Sequence, residues 1–199
     1  MVTKVGGVFT GPESEAELET ARNRLLGRQT MQERVVEVEF GRTMKVRYGQ
    51  ILSTTSCAAW VGFLELCARG ADGSALGAPD FLALTNQFPV VFLHSVPQLR
   101  PSQRDEARRL VTLIDTLYEA RCQLFMSTQC SVHEIFEPLF EADRAAKEAA
   151  SGFGDRASAV QSDYASLELT QEEKLMFSRA ISRLIELCVG GNIHIINRQ

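Results

Sequence analysis

The sequence predicts an α/β protein: a parallel strand-helix-strand unit, an added antiparallel strand pair and flanking helices. Three observations carry that expectation. The run Val90-Val91-Phe92-Leu93, bounded by Pro89 and Pro97, has no polar alternation, as in a strand covered on both faces. A helical stripe of Ala107, Leu110, Val111, Ile114, Leu117 and Tyr118 follows over about 103–121, and a second apolar strand over 123–127 comes directly after it. Strand, amphipathic helix and strand in that order make the two strands parallel, joined by a right-handed crossover.

The remaining elements follow in chain order. After a Gly-rich start, Gly11-Pro12-Glu13-Ser14 leads into a helix over 15–26, acidic first and basic later as the helix dipole favours, and Gly27 ends it. Residues 36–40 and 44–48 alternate as a strand pair around Gly41-Arg42-Thr43. A three-residue loop opposes Phe40 to Met44, Val38 to Val46 and Val36 to Tyr48, with Glu39–Lys45 and Glu37–Arg47 on the other face. A two-residue loop would set Val38 against Lys45, so the three-residue register is expected. Its charge ladder is a solvated face worth ~0.2–1 kcal/mol per pair.

Trp60, Phe63, Leu64 and Cys67 recur at helical spacing and predict a helix over 57–67. Gly70 to Gly77 reads as a loop, and Pro79 fits the first turn of a helix carrying Phe81, Leu82 and Leu84. Over 141–168 the composition shifts to Ala, Ser, Asp, Gly and Lys, which predicts an exposed, flexible insertion within a single region spanning 1–199. Thr170 and Glu173 form a capping-box pattern ahead of a helix with Phe177, Ile181, Leu184 and Cys188 on one stripe, and Gly190-Gly191 stops it. The tail Ile193-His194-Ile195-Ile196 fits an edge strand and a free end equally.

Composition sets the function classes. The 199 residues are 45% apolar, enough for a core, and 21 Lys+Arg against 25 Asp+Glu give a formal charge of −4. A nucleic-acid or anionic-membrane binder needs a basic surplus, which is absent. No apolar run approaches the ~20 residues that span a bilayer, and the N-terminus lacks the pattern of a secretory or transit segment. A soluble, intracellular protein is expected. The five cysteines, Cys57, Cys67, Cys122, Cys130 and Cys188, include no C-x-x-C pair, and His94, His133 and His194 form no H-x-x-x-H pattern, so no metal site is expected.

Three patterns bear on chemistry. Neither G-x-x-x-x-G-K-[ST] nor G-x-G-x-x-G occurs, so the backbone cradle and Lys that surround a nucleotide's phosphates are missing. Cys130 and His133 are the nearest thiol and imidazole, but no orienting third group or oxyanion feature accompanies them, and a buried Cys beside a surface His at a strand-to-helix turn is the favoured reading. His94-Ser95 ends the first apolar strand, where α/β proteins gather ligands, although a polar pair there also serves simply to end the strand. No catalytic residue is expected.

Several stretches together resemble the C-terminal half of the ZapE/AFG-like ATPases, P-loop proteins of the AAA+ type. Phe63-Leu64-Glu65-Leu66-Cys67 is similar to the family's F-x-x-L-C, and Leu76-Gly77-Ala78-Pro79-Asp80-Phe81-Leu82-Ala83-Leu84 to its L-G-x-x-D-Y-L-A-L. Val90-Val91-Phe92-Leu93 with Val96-Pro97 resembles T-V-F-L-D-D-V-P, Asp105 to Tyr118 resembles N-E-A-R-R-F-I-T-L-I-D-x-L-Y, and Phe177 to Glu186 resembles F-x-R-T-x-S-R-L-x-E. His94-Ser95 stands where the family has two acidic residues, and Cys188-Val189-Gly190-Gly191 replaces its usual ending.

The resemblance implies ATP and magnesium as cofactors and ATP hydrolysis as the activity of the full-length family protein, in mitochondrial protein quality control or bacterial cell division. The family's Walker A loop lies N-terminal to the matched region, so this chain alone is expected neither to bind ATP nor to hydrolyse it. The implied partners are the N-terminal ATPase core, neighbouring subunits and protein substrates, in the mitochondrion of a eukaryote or the cytoplasm of a bacterium. The resemblance also makes Arg179 and Arg183, four apart on one helix face, candidates for nucleotide sensing; the plainer reading is an ion-pair network with Glu186 and nearby acids. A non-catalytic protein-interaction module is the alternative function. If the chain is part of a larger machine, some apolar surface should be left exposed.

Overall fold

The computed structural model describes residues 7–38, 41–71, 73–152 and 168–189. Its strands are β1 (Gly7–Thr10), β2 (Gln32–Glu37), β3 (Thr43–Gln50), β4 (Cys57–Gly62), β5 (Val90–Val96) and β6 (Gln123–Thr128), in the sheet order β1-β6-β5-β4-β3-β2. The first four in that order run parallel, and β3 and β2 extend the sheet antiparallel. The helices are α1 (Ser14–Leu26), α2 (Phe63–Cys67), α3 (Ala78–Gln87), α4 (Arg104–Glu119), α5 (Glu137–Gly152) and α6 (Gln171–Val189). The expected parallel unit is therefore β5-α4-β6, within a mostly parallel α/β sheet.

Side-chain alternation divides the core in two, because successive residues of a strand face opposite sides. Ala59, Val61, Val91, Leu93, Leu124 and Met126 face a large layer with Phe81, Leu84, Leu110, Ile114, Leu117, Phe177 and Leu184. Ala58, Trp60, Val90, Phe92 and Phe125 face the other way and pack with Leu18 and Leu26 of α1. One helix thus covers one face while α3, α4 and α6 cover the opposite one. β5 and β6 are buried on both sides, which explains their unbroken apolar runs.

The structure corrects four expectations. The strand pair starts earlier and is shifted: Val36 opposes Met44, Arg34 opposes Val46 and Gln32 opposes Tyr48. The Val38 N–H donates to the Arg42 carbonyl at 2.9 Å, so the turn is centred two residues before the expected one. Gly41 stands at φ +71°, a left-handed position that glycine takes without strain. The shift is even, so Val36, Val38, Met44 and Val46 keep their buried face. Lys45 pairs with Glu33 at 3.7 Å and Arg47 with Glu65 at 3.7 Å, while Glu39 and Phe40, the expected partners of Lys45 and Met44, lie outside the described residues.

Second, residues 57–62 are a strand and only 63–67 are helical. The apparent helical spacing of Trp60, Phe63, Leu64 and Cys67 straddles that boundary, which Glu65 fixes by accepting the Gly62 N–H at 2.7 Å. Third, the Gly-rich start contains β1, paired in parallel with β6. Fourth, α5 continues to Gly152 and buries Asp143 and Ala146, so the first part of the 141–168 stretch is helical. Residues 153–167, Gly190-Gly191 and the 193–196 tail lie outside the described residues, as does the Cys188 side chain.

The Thr170–Glu173 capping box forms as expected: the Thr170 N–H donates to Glu173 Oε2 at 2.9 Å and the Glu173 N–H to Thr170 Oγ1 at 3.2 Å. Among the described residues the exposed large apolar side chains, Val35, Leu52, Leu64, Leu82 and Leu175, sit on β2, the β3–β4 loop, α2, α3 and α6. No helix among the described residues is long and apolar enough to cross a membrane.

Candidate functional site

The carboxyl ends of parallel strands in an open α/β sheet are where ligands gather. Here β1 ends at Thr10 and turns through Gly11-Pro12 into α1, β5 ends at Val96 and β6 at Thr128. Between them lies a cavity of about 500 Å³, lined by Gly11, Pro12, Ser14, Glu15, Ser95, Val96, Pro97, Thr128 and Gln129.

Glu15, in the first turn of α1, reaches across to the strand ends. Its Oε1 accepts the Ser95 N–H at 2.8 Å, the Ser95 hydroxyl at 3.0 Å and the Ser127 hydroxyl at 2.8 Å. The Ser127 Oγ also accepts the Ser95 N–H at 3.0 Å. β5 and β6 slip in register between Leu93 and Val96, and Ser95 sits there at φ +61°, a conformation that L residues seldom adopt. That irregularity turns the Ser95 N–H out of the ladder and towards Glu15.

His94 lies beside this group. Its ring stacks on Trp60 with centroids 5.2 Å apart, and Arg22 from α1 lies over the Trp60 ring at 4.8 Å. Gly62 makes room for it, since a Cβ there would meet the imidazole at 3.0 Å. His94 Nδ1 is 3.1 Å from Ser95 Oγ, and its Nε2 is 3.5 Å from an Arg47 guanidinium nitrogen. Burial lowers the His94 pKa below its usual value; Glu15 and Glu65 oppose the shift and Arg47 adds to it. Arg can only donate, so Nε2 is the acceptor and Nδ1–H points to Ser95, whose own proton goes to Glu15. The donors thus all point towards Glu15, and no imidazole nitrogen is left to take a proton from Ser95. A Ser–His nucleophile is not built here.

The thiol pattern is not assembled either. Cys130 Sγ is 3.6 Å from Thr128 Oγ1, and His133 is exposed on a short 3₁₀ turn. Cys67, buried under α4, has its thiol pushed up to about 12 by burial, with Arg109 opposing and Glu106 reinforcing the shift. Among the described residues no group of three or more His, Cys, Asp or Glu could hold a metal ion.

The arginines form ties between α4 and α6. Arg179 donates to Asp115 Oδ2 at 2.7 Å, and Arg183 lies 2.6 Å from Asp115 Oδ1. That second contact is off the hydrogen-bond angle, so it acts as an ion pair and not as an aligned bond. Arg183 also covers the Tyr118 ring at 4.8 Å, and the Tyr118 hydroxyl donates to Glu186 at 2.6 Å. Arg104 and Arg108 both close on Glu173, while Arg109 Nε donates to the Cys67 carbonyl at the end of α2. The structure therefore joins Arg179 to Arg183 through Asp115, with the crevice built from other residues.

A family model for AFG1-like ATPases matches residues 8–165. The chain belongs to the AFG1-like ATPase family. Among curated relatives, an uncharacterized protein of Schizosaccharomyces pombe is 30% identical over 138 residues, 68% of this chain and 28% of its own length. The lactation elevated protein 1 homolog B of Danio rerio is 28% identical over 180 residues, 87% of this chain and 34% of its own. The cell division protein ZapE of Escherichia coli K12 is 32% identical over 77 residues, 39% of this chain and 19% of its own. The chain thus spans about a third or less of the length of these curated relatives.

Sequence reasoning placed a possible ligand site at His94-Ser95 but missed Glu15 and Ser127. Glu15 reads as an ordinary acidic first-turn residue, and the only signal for Ser127 was a polar residue closing an apolar strand.

Proposed function

We propose that this chain is the C-terminal region of an AFG1-like P-loop ATPase, contributing structure to a protein whose nucleotide chemistry resides elsewhere in its sequence. The ordered motifs from Phe63 to Glu186 support that placement, as do the parallel strands β1-β6-β5-β4, an arrangement compatible with P-loop architecture. ATP and magnesium are proposed as cofactors of the whole family protein. In the crevice described above they do not fit: the donors at the strand ends already serve Glu15, and none of the lining residues is Lys or Arg.

That occupied, acidic crevice is the observation that carries the reading. Arg179 and Arg183 both meet Asp115 and so hold α6 to α4 in this chain. Calorimetric titration of the 199-residue chain with ATP and magnesium is expected to give only heats of dilution. Micromolar affinity would overturn the proposal.

A further inference from the structure

We infer that the crevice at the carboxyl ends of β1, β5 and β6 is a carboxylate-binding site, filled in this chain by its own Glu15 and able to take a small monocarboxylate in exchange. The inference does not depend on the family reading, since it rests on how three donors converge. The Ser95 N–H, Ser95 hydroxyl and Ser127 hydroxyl meet on one oxygen at 2.8–3.0 Å. Ser127 is fully buried, so its hydroxyl is committed to the site. The register slip between β5 and β6 and the left-handed Ser95 backbone hold the N–H on the same point.

This donor set selects a ligand class. All three donors are neutral, and none of the lining residues is Lys or Arg. A phosphate would bring up to two charges into a site without a countercharge, whereas a carboxylate brings one and needs few donors. The rest of the cavity, about 500 Å³, has Pro12, Val96 and Pro97 beside the polar group and leaves room for a short apolar portion of an acid. The present occupant is exposed on the first turn of α1, so exchange with an acid from solvent needs no opening of the core.

The test uses the full 199-residue chain with acetate as probe. Melting temperatures of wild type, Glu15→Ala and Glu15→Gln are compared in sodium acetate and sodium chloride at equal ionic strength. Binding to the folded state alone raises the melting point, so acetate should raise that of Glu15→Ala by about 2–5 °C over chloride. Wild type and Glu15→Gln, whose tethered side chains compete with acetate for the same donors, should shift by less than about 1 °C. Adding Ser127→Ala to Glu15→Ala should abolish the gain. If Glu15→Ala does not fold in chloride, refolding is the same test: recovery in acetate supports the inference, and recovery in neither salt overturns it. Equal shifts in all three proteins, no shift in Glu15→Ala, or a larger gain with inorganic phosphate than with acetate would each overturn it.

Discussion

Glu173 joins three parts of the fold, and Glu173→Gln measures what that junction is worth. Its Oε1 accepts Arg104 Nε at 2.7 Å and two Arg108 nitrogens at 3.0 and 2.7 Å. Its Oε2 accepts the Thr170 N–H and hydroxyl at 2.9 and 3.1 Å and a second Arg104 nitrogen. The amide keeps one acceptor but turns its NH₂ towards donors, so either the cap or an arginine loses its partner. A charge-assisted hydrogen bond is worth ~1.5–3 kcal/mol and a helix cap ~1 kcal/mol. Arg108 is 47% exposed, which discounts its share. The expected cost is about 3 kcal/mol, or a melting point lower by roughly 6–12 °C.

The pH dependence has a definite sign. Hydrogen bonds from Arg104, then from Thr170 and Arg108, outweigh burial and hold the Glu173 carboxyl well below the usual carboxylate range. A depressed folded pKa gives stability that is fully present above the unfolded value of about 4.3 and is lost as pH falls towards the folded one. The gap between wild type and variant should thus be constant near neutrality and close by roughly 1.4 kcal/mol per pH unit below about 4.3. Urea titrations between pH 7 and 3 measure it. A melting-point change under about 2 °C at pH 7, or a gap that does not narrow in acid, would refute the argument.

Two further outcomes follow from the same contacts. Asp115→Ala should cost about 1–2 kcal/mol in urea unfolding because Asp115 serves both Arg179 and Arg183, whereas Arg179→Ala, at a 47%-exposed side chain, should cost less than about 1 kcal/mol; equal costs would mean that Asp115 does not join them. In the native protein near neutral pH, an alkylating reagent should modify half-buried Cys57 and Cys130 well before buried Cys67 and Cys122, as peptide mapping would report, and rapid modification of Cys67 would contradict its burial and raised pKa.

Legibility in the sequence followed how local each determinant is. β5, α4 and β6 were readable because burial on both strand faces and one helix face writes its period directly into the residues. The Thr170–Glu173 cap was readable because its partners are three residues apart. β4 was not: Cys57-Ala58-Ala59-Trp60 carries little β-branched content, and only its place between β3 and β5 makes it a strand. The hairpin's faces were readable from alternation, but its register was not, since an even shift keeps the same faces.

The crevice was least legible, because its chemistry is assembled across 112 residues of sequence, from Glu15 to Ser127. The position of His94-Ser95 at a strand end marked the right edge of the sheet, yet nothing local showed that a carboxylate from the first helix would fill it. Such a residue changes the meaning of the architecture. Parallel strand ends facing a helix N-terminus ordinarily favour an anion from outside, and a glutamate in that first turn supplies the anion from within. Family membership and the open α/β sheet therefore say where a ligand could sit, while Glu15, Ser95 and Ser127 decide which charge the site accepts and whether its donors are free.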